Sequence, residues 1–175
     1  MEKTLIIIRG NSGSGKTTVA KALQEKFGLG TVRLSQDVVR REILWVRDEK
    51  DTPAVELLRE LLRYGAAHSP FVILEGILNA EWYAPLFELA KELFGERIFA
   101  YYYDLTFEET LRRHQTKPNC HEFGEEHMRG WWKEKDYIGS IPEQTISQDM
   151  SLRETVEMIC DAVGWCREAC INGRA

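Results

Sequence analysis

Apolar and polar positions along the chain change period repeatedly, and the changes mark out strands alternating with helices. The run Leu5–Ile8 is continuously apolar, whereas Thr18–Phe27 repeats its apolar residues at helical spacing before Gly28 and Gly30 close it. Thr31–Leu34 reads as a short strand and Val38–Trp45 as a helix, with Ser35 or Asp37 as its N-cap. A charged loop, Val46–Thr52, leads to Pro53, which suits the first position of a helix reaching Ala67. Val55, Leu58, Leu61 and Leu62 form the apolar stripe of that helix. Phe71–Gly76 is apolar almost throughout and ends in Glu75, the pattern of a central parallel strand buried on both faces. A helix is expected over residues 80–94, with Pro85 bending it or delaying its start. Arg97–Tyr103 is a fourth strand ending at Asp104, and Thr106 with Glu109 matches a capping box for a helix from Phe107 to His114. The polar, aromatic stretch Gln115–Tyr137 has room for a short helix within Glu122–Lys133. A fifth strand near Gln144–Ser147 and a final helix over Ser151–Ala169 complete the series.

Five strands alternating with helices predict an α/β fold: a five-stranded parallel sheet covered by helices on both faces, in a single domain spanning 1–175. Ligands of such sheets sit beyond the carboxyl ends of the strands, where Gly10, Asp37, Glu75 and Asp104 all fall. Composition changes this picture little, at 43% hydrophobic and 29% charged residues. No apolar stretch approaches the ~20 residues of a membrane span, and no secretory signal pattern opens the chain. The expectation is a cytoplasmic protein with no membrane partner. A net charge of −5 counts against nucleic acid as a partner. Cys120, Cys160, Cys166 and Cys170 contain no CxxC pair and read as reduced thiols; a metal site would need Cys166 and Cys170 with a distant histidine such as His121.

The chemistry concentrates at the end of the first strand. Gly10-Asn11-Ser12-Gly13-Ser14-Gly15-Lys16-Thr17 fills the G-x-x-x-x-G-K-[ST] phosphate-loop pattern at every position, between a strand and a helix as that motif requires. The glycines let backbone N–H groups approach an anionic oxygen closely, and the following helix directs its positive end at the same place. Lys16 adds a charge for the β/γ-phosphates of ATP, and the Thr17 hydroxyl suits Mg²⁺. The nucleotide-binding set is therefore residues 10–18, including Thr18, joined by Arg112.

Just past the second strand, Asp37 is placed to orient an acceptor hydroxyl and take its proton, or else to cap the next helix. Arg40, three residues on, shares its helical face and points back to the crevice, whereas Arg41 reads as exposed or salt-bridged. Glu75 is placed to hold Mg²⁺ through water beside Thr17 or to position the acceptor, or else to accept from nearby helix N–H groups. Arg112 and Arg113 leave a helix next to a polar stretch, so one of them, with Arg113 the one assigned, is the candidate to neutralise charge on a transferring phosphate, and residues 115–135 are a candidate lid. Trp131 and Trp132 read as lid packing or a cleft wall, and His114, His121 and His127 as polar lid residues. Ser147–Ser151 is a loop where the nucleotide base could lie.

With these residues in view, the chain resembles the small P-loop kinases. The likeness is to the branch of polynucleotide kinase phosphotransferase domains, chloramphenicol phosphotransferase and zeta toxins, and to uridine-kinase-like bacterial kinases. Ser35-Gln36-Asp37-Val38-Val39-Arg40 is similar to that branch's S/N-x-D-x-x-R segment. The resemblance implies a general-base aspartate and an arginine close to the acceptor or the transferred phosphate. The expected activity is ATP- and Mg²⁺-dependent transfer of the γ-phosphate to a hydroxyl of a small acceptor such as a nucleoside, sugar, nucleotide-sugar or antibiotic. Two alternatives stand beside it: a polynucleotide 5′-hydroxyl kinase, and a nucleotide-dependent switch ATPase with no acceptor.

Overall fold

The computed structural model describes residues 3–116 and 124–165. Its first strand, β1 (Thr4–Gly10), is buried at every position and so has to satisfy both faces of a sheet. Alternation divides its side chains. Leu5 and Ile7 enter one core with Leu58, Leu62 and Phe87, while Ile6 and Ile8 enter another with Val19, Leu23 and Ile159. Each such fully buried aliphatic side chain contributes about 1.5–3 kcal/mol.

Around β1 stand β2 (Val32–Ser35), β3 (Phe71–Gly76), β4 (Ile98–Tyr103) and β5 (Glu143–Ile146), in the order β2-β3-β1-β4-β5 and all parallel. Ile8 pairs with Glu75 and Gly10 with Tyr103, so the ends of the three central strands are level at one rim. Helices α1 (Lys16–Phe27) and α7 (Leu152–Ala162) pack on one face, and α3 (Ala54–His68) and α4 (Ala84–Phe94) on the other. This is the five-stranded, helix-covered sheet that the pattern predicts. None of the described helices is long and apolar enough to cross a membrane.

The differences lie in irregular segments. The helix expected over Val38–Trp45 is a single α-turn, α2 (Gln36–Val38), running into a π-helical turn, Val39–Ile43. The Leu44 amide bonds the Val39 carbonyl five residues back (3.0 Å), and Trp45 ends the turn at φ 55°. Ser35 stands at the N-cap without a capping hydrogen bond from its side chain. Pro85 delays α4 rather than bending it: it lies in the first turn, where its missing N–H costs nothing. Residues ahead of it form a turn in which Asn79 Oδ1 accepts from the Glu81 and Trp82 amides (3.1 Å each).

Helix α5 (Phe107–Gln115) takes only half of the expected capping box: Thr106 accepts from the Glu109 amide, but the Glu109 carboxylate turns to two arginines instead. The short helix in the polar stretch is α6 (Glu125–Trp131). Cys120 and His121, with residues 117–123 of the candidate lid, lie outside the described residues, as do Cys166 and Cys170. The last helix, expected to reach Ala169, ends at Ala162, with Gly164 just beyond it at φ 70°.

Candidate active site

The phosphate loop is shaped by three glycines with positive φ: Gly10 (138°), Gly13 (84°) and Gly15 (104°). A Cβ on Gly13 would meet the Thr110 carbonyl oxygen at 2.5 Å, so α5 packs directly on the loop and only glycine fits between them. Gly15 begins α1 with no side-chain cap, leaving first-turn amides available to an anion, and Thr17 and Thr18 are exposed there. Lys16 Nζ lies across the loop, donating to the Asn11 carbonyl (2.8 Å) and Ser14 Oγ (3.2 Å). The Thr17 hydroxyl donates to Glu75 at 3.1 and 3.2 Å, and Arg33 stands 3.7 Å from that buried carboxylate. A hydroxyl beside a buried carboxylate is a donor set suited to a hard oxygen-seeking cation, and the loop beside it suits phosphate oxygens.

The two arginines of α5 diverge. Arg113 donates to the Ser14 carbonyl (3.0 Å), the Gln148 carbonyl (3.1 Å) and Glu109 (2.6 Å), tying the loop, α5 and the 147–151 segment together. Arg112 is 67% exposed and forks onto Glu109 through two 2.8 Å bonds. These two guanidiniums hold the Glu109 carboxyl down at about 2.

Next to the loop is a cleft of about 510 Å³, whose lining includes both Ser12 of the loop and Asp37. The Asp37 side chain is 63% exposed and pairs with Arg40 (2.9 Å) and, more loosely, Arg41 (3.7 Å), all three lining the cleft. Asp37 is therefore engaged by its own helix's arginines rather than by a capping bond. Asp104 is not brought here: it is exposed and accepts from the Tyr137 hydroxyl (3.4 Å). His114 is 2% exposed, a core residue rather than a polar lid residue, while His127 lies beside Trp131 with ring centroids 5.9 Å apart. Both Trp131 and Trp132 line the cleft with Trp82.

Sequence reasoning misses three groups. Asp48, in the charged loop, accepts from the Tyr83 hydroxyl (2.8 Å) and Gln36 Nε2 (2.9 Å); burial pushes its carboxyl above the ordinary range, and burial likewise raises the Tyr83 phenol. No local signal joins residues 35 and 47 positions from Tyr83. Asn11 clamps Lys133, donating to its carbonyl (2.7 Å) and accepting from its amide (3.0 Å). Arg9, fully buried, donates to the Leu78 carbonyl (2.7 and 3.0 Å), Glu143 (2.9 Å) and Asp136 (3.0 Å) between the rings of Phe87 and Tyr102. Its signal was present as a charge interrupting an apolar strand. Among the described residues no group of three or more histidine, cysteine or acidic side chains could hold a metal, and Cys160 is a free buried thiol.

No curated protein matches the chain. Among solved structures it is similar to a gluconokinase from Sinorhizobium meliloti 1021 (16% identity, 99% of each chain covered, TM-score 0.68). It is also similar to the APS kinase CysC of Mycobacterium tuberculosis in complex with AMPPNP and APS (20% identity, 93% of this chain and 98% of that one, TM-score 0.64). A third likeness is to a shikimate kinase from Acinetobacter baumannii in complex with shikimate (21% identity, 92% and 93% covered, TM-score 0.61). At these identities the likeness is one of fold, the P-loop α/β architecture. The AAA domain family (AAA_33) matches residues 5–129, most of the chain, and the protein belongs to that family.

Proposed function

We propose that this chain is an ATP- and Mg²⁺-dependent kinase that transfers the γ-phosphate to a hydroxyl of a small-molecule acceptor. One observation carries the reading: the cleft that holds Asp37 reaches the phosphate loop at Ser12, so an acceptor and a nucleotide could meet. The kinases of similar fold, one bound to shikimate and another to APS with a nucleotide analogue, agree with this reading.

In this reading the amides of Gly10, Asn11, Ser12, Gly13, Ser14, Gly15 and Lys16, with the Lys16 ammonium, hold the β- and γ-phosphates. Thr17 and Glu75 would hold Mg²⁺, which when bound neutralises phosphate charge. Thr18 completes the helix start over the phosphates. Asp37 orients the acceptor hydroxyl and takes its proton, exchanging its exposed ion pairs with Arg40 and Arg41 for that contact. Arg40 and Arg113 stabilise the charge that develops, Arg113 from its position against Ser14. Arg112 engages the nucleotide from the outer rim by leaving Glu109. Trp131 and Trp132, in the candidate lid over 115–135, would exclude water that otherwise competes with the acceptor.

The test is transfer of label from γ-labelled ATP into a panel of nucleosides, sugars, nucleotide-sugars, antibiotics and a short oligonucleotide. Label in one acceptor, lost in both Lys16→Ala and Asp37→Asn, is the expected result. Slow hydrolysis without transfer, lost in Lys16→Ala and kept in Asp37→Asn, overturns it.

A further inference from the structure

Three tryptophans, Trp82, Trp131 and Trp132, line the cleft that holds Asp37. Two of them are held by neighbouring side chains. Trp82 has Lys133 Nζ over its ring at 5.2 Å, and the Trp132 and Phe107 rings meet in a T-shape with centroids 5.3 Å apart. Trp131, beside the His127 ring, leaves 43% of its surface exposed. Braced indole faces around a cleft are suited to a flat ring, because stacking rewards planar partners.

Asp48 adds a second feature. It lines the same cleft, and its two oxygens each accept one bond, from Tyr83 and Gln36. Those donors are 0% and 1% exposed, and Gln36 also donates to the Tyr83 hydroxyl (2.7 Å) while its own oxygen accepts from the Leu78 amide (3.1 Å). Each carboxylate oxygen can accept two bonds, so this rigidly held group keeps capacity for a donor that enters the cleft. Charge narrows the class further. Arg40, Arg41, Arg47 and Lys133 face Asp37, Asp48 and Glu49, four cations against three anions, so the wall is close to neutral.

We propose that the acceptor is an uncharged, flat-ringed polyol, whose ring lies against the tryptophans and whose second hydroxyl is held by Asp48. This rests on the kinase reading and names its substrate class. The reacting hydroxyl faces Asp37. Its oxygen forms the new bond to the γ-phosphorus as the bond to the β,γ-bridging oxygen breaks. That electron pair leaves on ADP, and the hydroxyl proton passes to Asp37. Asp48 is a positioning residue in this scheme, taking no proton.

The experiment uses the full chain with Mg²⁺ and ATP, reading both label transfer and quenching of tryptophan emission. Uridine, adenosine and phenyl β-glucoside are the flat-ringed polyols. 2′,3′-Dideoxyuridine keeps a ring and one hydroxyl, and ribitol is a polyol without a ring. At least one flat-ringed polyol should quench emission and accept label, with ribitol weaker by about tenfold or more. Asp48→Asn should raise KM for that polyol about tenfold, leave kcat largely intact, and change nothing for 2′,3′-dideoxyuridine. Tyr83→Phe, which keeps the ring and removes one brace, should move KM in the same direction and serves if Asp48→Asn unfolds. Trp131→Ala should erase the preference for rings over ribitol.

Label entering ribitol as well as the ringed probes would overturn the inference and leave the kinase reading standing. So would an unchanged KM in both Asp48→Asn and Tyr83→Phe. Quenching by ringed polyols with no transfer to any acceptor would sink the kinase reading while the binding class stands. Neither quenching nor transfer with any flat-ringed polyol overturns the inference.

Discussion

The proposed phosphate side and the proposed acceptor side of the crevice are built by different means. On the phosphate side the functional groups are mainly backbone amides, fixed by a strand, three positive-φ glycines and a helix start within residues 4–18. On the acceptor side they are side chains carried by a π-turn, a loop and the end of α6, with Trp45, Asp51 and Leu78 all at positive φ. A site made of backbone needs a short, fixed motif, because the geometry is local. A site made of side chains from distant loops is free to vary in sequence, which is where selectivity between acceptors can reside. Arg9 and Asn11 join the two sides: Arg9 anchors Leu78 and Asp136, and Asn11 holds Lys133.

The largest effect is expected from breaking that joint. Arg9→Met would leave Glu143, whose side chain is 1% exposed, and Asp136 without their shared cation, at a cost of about 3–5 kcal/mol of stability. Urea denaturation measures the loss. Hydrogen exchange locates it: amides around residues 78–80 and 136–138 should open first, while those of α1 keep their protection. Equal loosening of α1 would mean that the two sides are one cooperative unit.

Chemistry separates the sides next. Lys16→Ala should lower transfer about a thousandfold and weaken nucleotide binding, since the ammonium that would offset phosphate charge is removed. Asp37→Asn should lower kcat about a hundredfold while nucleotide affinity stays within about twofold, because a proton acceptor is lost and no phosphate contact. Stability should hold within about 0.5 kcal/mol, given that Asp37 is 63% exposed and its ion pairs are superficial. Fluorescent-nucleotide binding beside steady-state kinetics distinguishes the variants. A shared loss of nucleotide affinity would erase the division between the two sides.

The same division explains what was legible in the sequence. The five strands, the phosphate loop and the Thr17–Glu75 pairing follow from period, local motif and the level ends of adjacent parallel strands. Misreadings occur where tertiary contacts override local pattern. Val38–Trp45 has helical spacing, yet the chain takes a π-turn that ends in Trp45 at positive φ. Glu109 has capping-box spacing, yet two arginines outcompete the Thr106 amide for its carboxylate. His114 looks polar and is buried. The pairing of Asp48 with Tyr83 and Gln36 has no sequence signature, because it depends on three segments meeting in space.

The smallest effect comes from Glu109, where the phosphate side borrows a side-chain support. Its carboxyl is depressed to about 2, first by its bonds to Arg112 and Arg113, from an ordinary value of 4.5. The sign follows: the ionised, paired form contributes stability above pH 4.5, and that contribution drains away as pH falls from 4.5 towards 2. The pair faces solvent, so less than about 1 kcal/mol is at stake. Glu109→Gln should accordingly flatten the acid limb of the melting profile only slightly. Transfer should slow about twofold to fivefold, because Arg113 loses the partner that steadies it against Ser14. Carboxyl titration by NMR decides the matter. A Glu109 midpoint near 4.5 would mean that the arginines do not engage it in solution, and the phosphate loop would then rest on its backbone and the packing of α5 alone.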